Sequence, residues 1–266
     1  MTESLAQYPI PLHAPPPSTR PGSGLSADSD TVPRFVADPL VVADPQGWIP
    51  ATDLVSGAGL EALFDLPHRL WAAPPHAAAV LAWKKYAYRL AQPLAAAWTL
   101  AREIPLLSAD NVLIQLSRAA PYITVGLHRA TSTVLPTSPA ARSYDAIVSP
   151  DEAAQLAFLS STLIDQHLRP LIERTMKARR ANARTLWGQA AAAFAYAFTE
   201  ISATAAAETA RFTALLPIHD LAGVGPDDTV WRSTCCLALA SPGLAPCRDC
   251  VTANRRPAKC APGAAG

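Results

Sequence analysis

The chain lacks several things, and each absence excludes a class of protein. No cysteine occurs in the first 234 of its 266 residues, and all five fall in the last 32. A framework of disulfides spread through a secreted domain is therefore excluded. Glycine is scarce, at 12 residues, which rules out a collagen-like chain. Charge of either sign is sparse: 16% of residues are charged and the net charge is +1. Nucleic-acid binding through phosphate contacts needs an excess of Lys and Arg, so it is not expected. Lysine is the rarest basic residue, with 4 (Lys84, Lys85, Lys177, Lys259) against 18 arginines. There is no GxxxxGK[ST], GxGxxG, HExxH or GxSxG motif, and the six histidines include no pair at metal-ligand spacing.

What is present is apolar and rich in alanine. Half of the residues are hydrophobic, 54 are Ala and 26 are Pro. The length suits one large domain or two small ones with a sizeable core. The N-terminus has no basic region followed by an apolar run, so it does not read as a signal peptide. The most apolar long window, residues 188–210, is mostly Ala and is interrupted by Glu200 and Glu208. Alanine partitions weakly into lipid, so this window reads as a buried helix without stable membrane insertion. A cytoplasmic location with reduced thiols is expected.

Four segments follow from the pattern. Residues 1–45 are rich in Pro, Ser and Asp and bury too little apolar surface to order themselves, so a disordered arm is expected there. Residues 46–230 form a mainly helical body, residues 231–252 carry four cysteines, and 253–266 form a flexible tail. Within the body, Pro74 and Pro75 open a helix with Val80, Trp83, Tyr86 and Leu90 on one face, and Pro93 is expected to kink or end it. The aromatic stripe Trp83, Tyr86, Tyr88 and Trp98 reads as core before it reads as a ligand groove.

The period changes to two at 111–116 and 122–127, which predicts an antiparallel hairpin over about 111–135, with Asp110–Asn111 opening it and 131–135 extending it. Ser149-Pro150-Asp151-Glu152 predicts a helix start with Ser149 as N-cap, running to about Arg180 with a kink at Pro170. Asn182 separates it from a second long helix, about 183–215, ended by Pro217. Short connections make such helices antiparallel neighbours. The expected fold class is α+β, predominantly helical, with long antiparallel helices, a small antiparallel sheet and a C-terminal cysteine-bearing loop. The run Arg174, Lys177, Arg179, Arg180 and Arg184 reads first as a solvated helix C-terminus and second as a landing site for an acidic partner. His219-Asp220 suits a loop or cap better than a proton relay.

The chemistry lies in the cysteines. Cys235, Cys236, Cys247 and Cys250 form C-C-x10-C-x2-C, four thiols within sixteen residues, and a shared metal centre explains that clustering better than packing does. Structural zinc sites use short chelate loops around one ion, whereas side chains of adjacent residues diverge. A [2Fe–2S] rhomb distributes its thiolates over two irons and accepts less regular spacing. The spacing favours iron–sulfur and leaves a four-cysteine zinc site open. Pro242, Gly243 and Pro246 turn the intervening loop back, and Cys260 has no place in the motif and reads as a spare thiol.

C-C-x10-C-x2-C with an arginine shortly before the pair resembles the cluster motif of the siderophore-iron reductases, the ferric iron reductase family related to FhuF. Leu186-Trp187-Gly188 and the order hairpin, long helices, cysteines are similar too. The resemblance implies a cytoplasmic enzyme with a [2Fe–2S] cluster on Cys235, Cys236, Cys247 and Cys250. It passes one electron to an imported ferric siderophore, of hydroxamate type, and Fe(II) is released. The electron donor it implies is reduced flavin, ferredoxin or an NAD(P)H-dependent reductase. Trp187, Arg232 and Arg248 are candidate substrate contacts, and the two arginines also stand where positive charge raises a cluster's potential. The competing reading is a non-enzymatic siderophore- or protein-binding module with structural zinc. An iron–sulfur redox sensor is a third, disfavoured by the lack of a basic DNA-binding helix pair.

Overall fold

The computed structural model describes residues 35–247 and 249–252. In chain order the elements are β1 (Ile49–Pro50), α1 (Ala51–Ser56), α2 (Leu60–Trp71), α3 (Pro75–Ala101), β2 (Ile104–Pro105), β3 (Val112–Leu116), β4 (Ile123–Leu127), β5 (Ser132–Val134) and β6 (Ala146–Val148). Then come α4 (Glu152–Leu159), a π-helical stretch (Ser160–Leu168), α5 (Arg169–Arg179), α6 (Ala183–Thr199), α7 (Ala205–Thr213), β7 (Ala222–Val224) and β8 (Val230–Arg232). The strands form three small sheets, β1-β3-β4, β2-β5-β6 and β7-β8. The class is α+β and predominantly helical, as the patterning predicts. No helix among the described residues is long and apolar enough to cross a membrane.

The helix α3 is the central member. Pro75 sits in its first turn, where a missing N–H costs nothing, and the helix packs along both α2 and α6. Trp83, Tyr86, Leu90, Leu94 and Trp98 lie at spacings of three and four and are all buried, so three members of the aromatic stripe are core, while Tyr88 is half-buried and donates to Glu200 at 2.5 Å. Trp83 Nε1 donates to the Leu186 carbonyl at 2.7 Å and ties α3 to α6. Pro93 does not end α3, which continues through it to Ala101. Leu90, Ala91, Leu94 and Ala95 surround it and are buried, and that burial outweighs one lost backbone bond.

The helix expected from Ser149 begins two residues later. Asp151 is the cap and accepts from Ala154 N at 2.8 Å, while the Ser149 hydroxyl is engaged with Thr133 Oγ1 at 2.5 Å. The expected kink at Pro170 takes the form of the π-helical stretch just before it. Arg169 N bonds the Ile164 carbonyl, five residues back. A proline has no N–H and clashes with the carbonyl four residues earlier, and one wider turn relieves both. The second long helix divides into α6 and α7. Ser202 and Thr204 hydrogen-bond each other and local backbone across the break, which competes with helix continuation.

The hairpin β3–β4 is antiparallel with Ile114 opposite Val125. Asn111 fastens its open end: the amide donates to the Leu106 and Arg129 carbonyls at 2.8 and 3.0 Å and accepts from Arg129 N at 3.0 Å. The expected extension, β5, belongs to another sheet. It pairs with β2 and, in parallel, with β6. Of the expected arm, residues 35–45 pack against the body: Phe35 and Ala37 are buried and Val42 N donates to the Leu127 carbonyl at 2.9 Å. The remainder of the arm and the tail lie outside the described residues.

Candidate metal centre

The cysteine segment is seated by a glycine. In α6, a Cβ at Gly188 would stand 2.1 Å from Thr234 Oγ1 and 2.6 Å from its Cγ2. Only a residue without a side chain lets the strand after β8 lie this close to the helix, so Gly188 sets the position of the residue preceding Cys235. Gln189, next along α6, holds the same stretch. Its amide nitrogen donates to the Cys235 carbonyl at 3.3 Å and its carbonyl oxygen accepts from Arg232 Nη1 at 3.3 Å. Beyond Cys236 the chain turns through Leu237 in the left-handed region and a short 3-10 turn at Ala238–Ala240. It returns past Gly243, where an added Cβ would lie 3.3 Å from Trp71 Cα.

The return brings the two halves of the motif together. Cys236 Sγ lies 2.9 Å from Cys247 Sγ, against about 2.05 Å for a disulfide bond, so the two thiols face each other unbonded. Cys236 and Cys250 are buried, and Cys235 and Cys247 are partly exposed. The Cys235 sulfur accepts from Leu237 N at 3.3 Å and the Thr252 hydroxyl at 3.4 Å. Among the described residues no three His, Cys, Asp or Glu side chains converge into a group that could hold a metal ion. Of the four expected ligands, Cys236 and Cys247 are in direct contact across the motif.

Charge around the thiols is positive. Lys84, on α3, reaches Cys247 Sγ at 3.5 Å. Arg232 is buried beneath the motif, with Nε 2.8 Å from Asp249 Oδ2. Burial works against the Arg232 charge, but Asp249 and the Cys236 sulfur hold it protonated. The hydrogen bond between the two thiols holds Cys236 down against its burial, with help from Lys84, Ala238 N and Arg232, and raises Cys247. Burial, then Lys84 and Arg89, push Lys85 down to about 8. The Tyr196 hydroxyl is raised by burial and by the Asp249 carboxylate facing it. Thiolate sulfurs beside cations and N–H donors suit a soft, thiolate-bound metal group, so donor type and environment fit.

The other expected site residues are placed differently. Trp187 is core, with 4% of its surface exposed. Arg232 is buried and ion-paired with Asp249 inside the motif. Arg248 and Cys260 lie outside the described residues. In the basic run, Arg179 pairs with Glu61 and lies over the Phe64 ring, and Arg174 Nε reaches the Val55 carbonyl at 3.4 Å. Sequence reasoning missed Gln189, which carries no signal in one sequence, and gave Asp249 to neighbouring Arg248, whereas it pairs with Arg232. It also passed over Lys84, whose signal was the rarity of lysine.

Compared with known families, residues 81–223 match the profile described as "Ferric iron reductase FhuF-like transporter". The match covers more than half of the chain, from α3 to the β7 strand, and ends before the four cysteines. No curated protein matches the sequence.

Proposed function

From the premise that the chain belongs to the FhuF-like ferric iron reductase family, we propose that it reduces ferric siderophores in the cytoplasm through a [2Fe–2S] cluster held by Cys235, Cys236, Cys247 and Cys250. The observation that carries the cluster reading is the approach of Cys236 to Cys247, one thiol from each half of the motif, beside Lys84 and Arg232. Such a cluster, when bound, supplies one electron at a time. Siderophore oxygens are hard ligands that hold Fe(III) far better than Fe(II). One electron taken up by the substrate iron therefore loosens it, and the chelator is released intact.

The protein's own contributions are positional. Gly188 and Gln189 seat the first cysteine pair against α6, and the Arg232–Asp249 pair locks the second half of the motif beneath the first. Cys235 and Cys247 are the partly exposed members, so a bulky chelate approaches from their side. The electron comes from reduced flavin, ferredoxin or an NAD(P)H-dependent reductase.

The test is metal content. Anaerobically purified full-length protein is expected to be red-brown, with about two irons per chain, as this cluster type requires. Once reduced, it converts a ferric hydroxamate to Fe(II), trapped by an Fe(II)-specific chelator. Cys247→Ser abolishes colour and turnover, and Cys260→Ser leaves both. A colourless protein carrying one zinc overturns the reading in favour of the non-enzymatic module.

A further inference from the structure

We propose that Lys84 sets the reduction potential of this centre by donating a charged hydrogen bond to the Cys247 sulfur. The inference rests on the cluster reading above and concerns a residue outside the cysteine motif.

Lys84 Nζ stands 3.5 Å from Cys247 Sγ, and the backbone that carries it is fixed. Its neighbours on α3, Trp83 and Tyr86, are 1% and 0% exposed, and Trp83 is bonded to α6. One and two turns earlier, Leu81 and Ala78 lie in the same buried cluster as Cys236. The α3 face that begins with Ala78 and Leu81 therefore underlies the cysteine segment and ends in an ammonium group at the partly exposed thiol. The side chain is only partly exposed, so water screens its charge incompletely.

The two nearby cations differ in net charge. Arg232 is neutralised by Asp249 at 2.8 Å, whereas no carboxylate among the described residues forms an ion pair with Lys84. Reduction by one electron adds one negative charge to the thiolate-bound group. An N–H donor carrying an uncompensated positive charge stabilises that more negative state over the oxidised one and raises the potential. Lys85 provides the internal control. It lies 6.0 Å from the Tyr122 ring centre and acts on Cys247 through space, with no hydrogen bond to sulfur.

The experiment uses the anaerobically prepared full chain and the variants K84Q, K84R and K85Q. Iron content and the visible spectrum are read first, and the potential is then titrated against mediators and followed by the EPR signal of the reduced form. K84Q is expected to shift the reduction equilibrium about tenfold toward the oxidised form, which for one electron is a fall of about 59 mV. K84R stays near the wild type, and K85Q moves less than K84Q. If K84Q loses iron, K84M, which keeps the packing without the charge, is read in the same way. An unchanged potential in an iron-replete K84Q overturns the proposal, as does a fall in K85Q equal to that in K84Q. A wild type without iron overturns the cluster reading and this inference with it, and is seen before any variant is compared.

Discussion

Arg232 and Asp249 form an ion pair at 2.8 Å that spans the cysteine motif from below, with the arginine side chain 1% exposed and the aspartate 12%. Arg232 precedes the adjacent cysteines and Asp249 lies between the last two, so the pair closes the loop that the motif requires. Arg232 also reaches Gln189 of α6, which anchors the closed loop to the body.

Removing one partner strands the other charge in a buried place, which costs about 3–5 kcal/mol. R232Q and D249N are each expected to lower the denaturant midpoint and to weaken retention of iron. The charge-free double variant R232M/D249L recovers stability, because it leaves no lone charge. Single variants as stable as the wild type would show that the pair is solvated and does not hold the loop.

The contact between Gly188 and Thr234 makes a second prediction. An alanine Cβ would meet Thr234 Oγ1 at 2.1 Å, so G188A must push the cysteine segment off α6. Overpacking of this kind costs about 1–3 kcal/mol. The expected result is reduced stability together with reduced iron per chain. T234A, which removes the two nearest atoms, restores part of both when combined with G188A. G188A with full iron content and wild-type stability is the outcome that sinks this account.

Legibility in the sequence followed the range of the forces. The α3 start, the hairpin and the helix boundary at Asn182 are local, and each is written in a few neighbouring residues; at that boundary Asn182 Oδ1 accepts from Arg184 N at 2.8 Å. The cysteines were visible because chemistry-bearing residues at short spacing are a local signal too. Pro93 does not end α3 because burial of Leu90, Leu94 and Trp98 against other elements overrides a local penalty. The placement of β5 depends on its distant partners β2 and β6. Gln189 and Lys84 act on residues 46 and 163 positions away, and no window of sequence contains both ends of such a contact.

His167 gives the last prediction. It lies in the π-helical stretch and is fully buried. Its Nδ1 is 2.6 Å from the Leu107 carbonyl and its Nε2 is 2.5 Å from the Tyr86 hydroxyl. A carbonyl only accepts, so Nδ1 carries the proton and Nε2 accepts from Tyr86. A second proton would break the Tyr86 bond and charge a dry site. Burial therefore pushes the ring down to about 4, against the opposing pull of Leu107 and Asp110, from 6.5. The unfolded chain binds a proton below pH 6.5 that the folded chain refuses until about pH 4. Stability from this group is complete above 6.5 and falls as pH drops through that window, by about 3 kcal/mol in all. Denaturant midpoints at pH 7 and pH 4.5 for the wild type and H167Q separate it from the carboxylates, which both proteins share. The variant is less stable at pH 7 and loses less on acidification; an equal loss in the two proteins would assign the acid sensitivity to other groups.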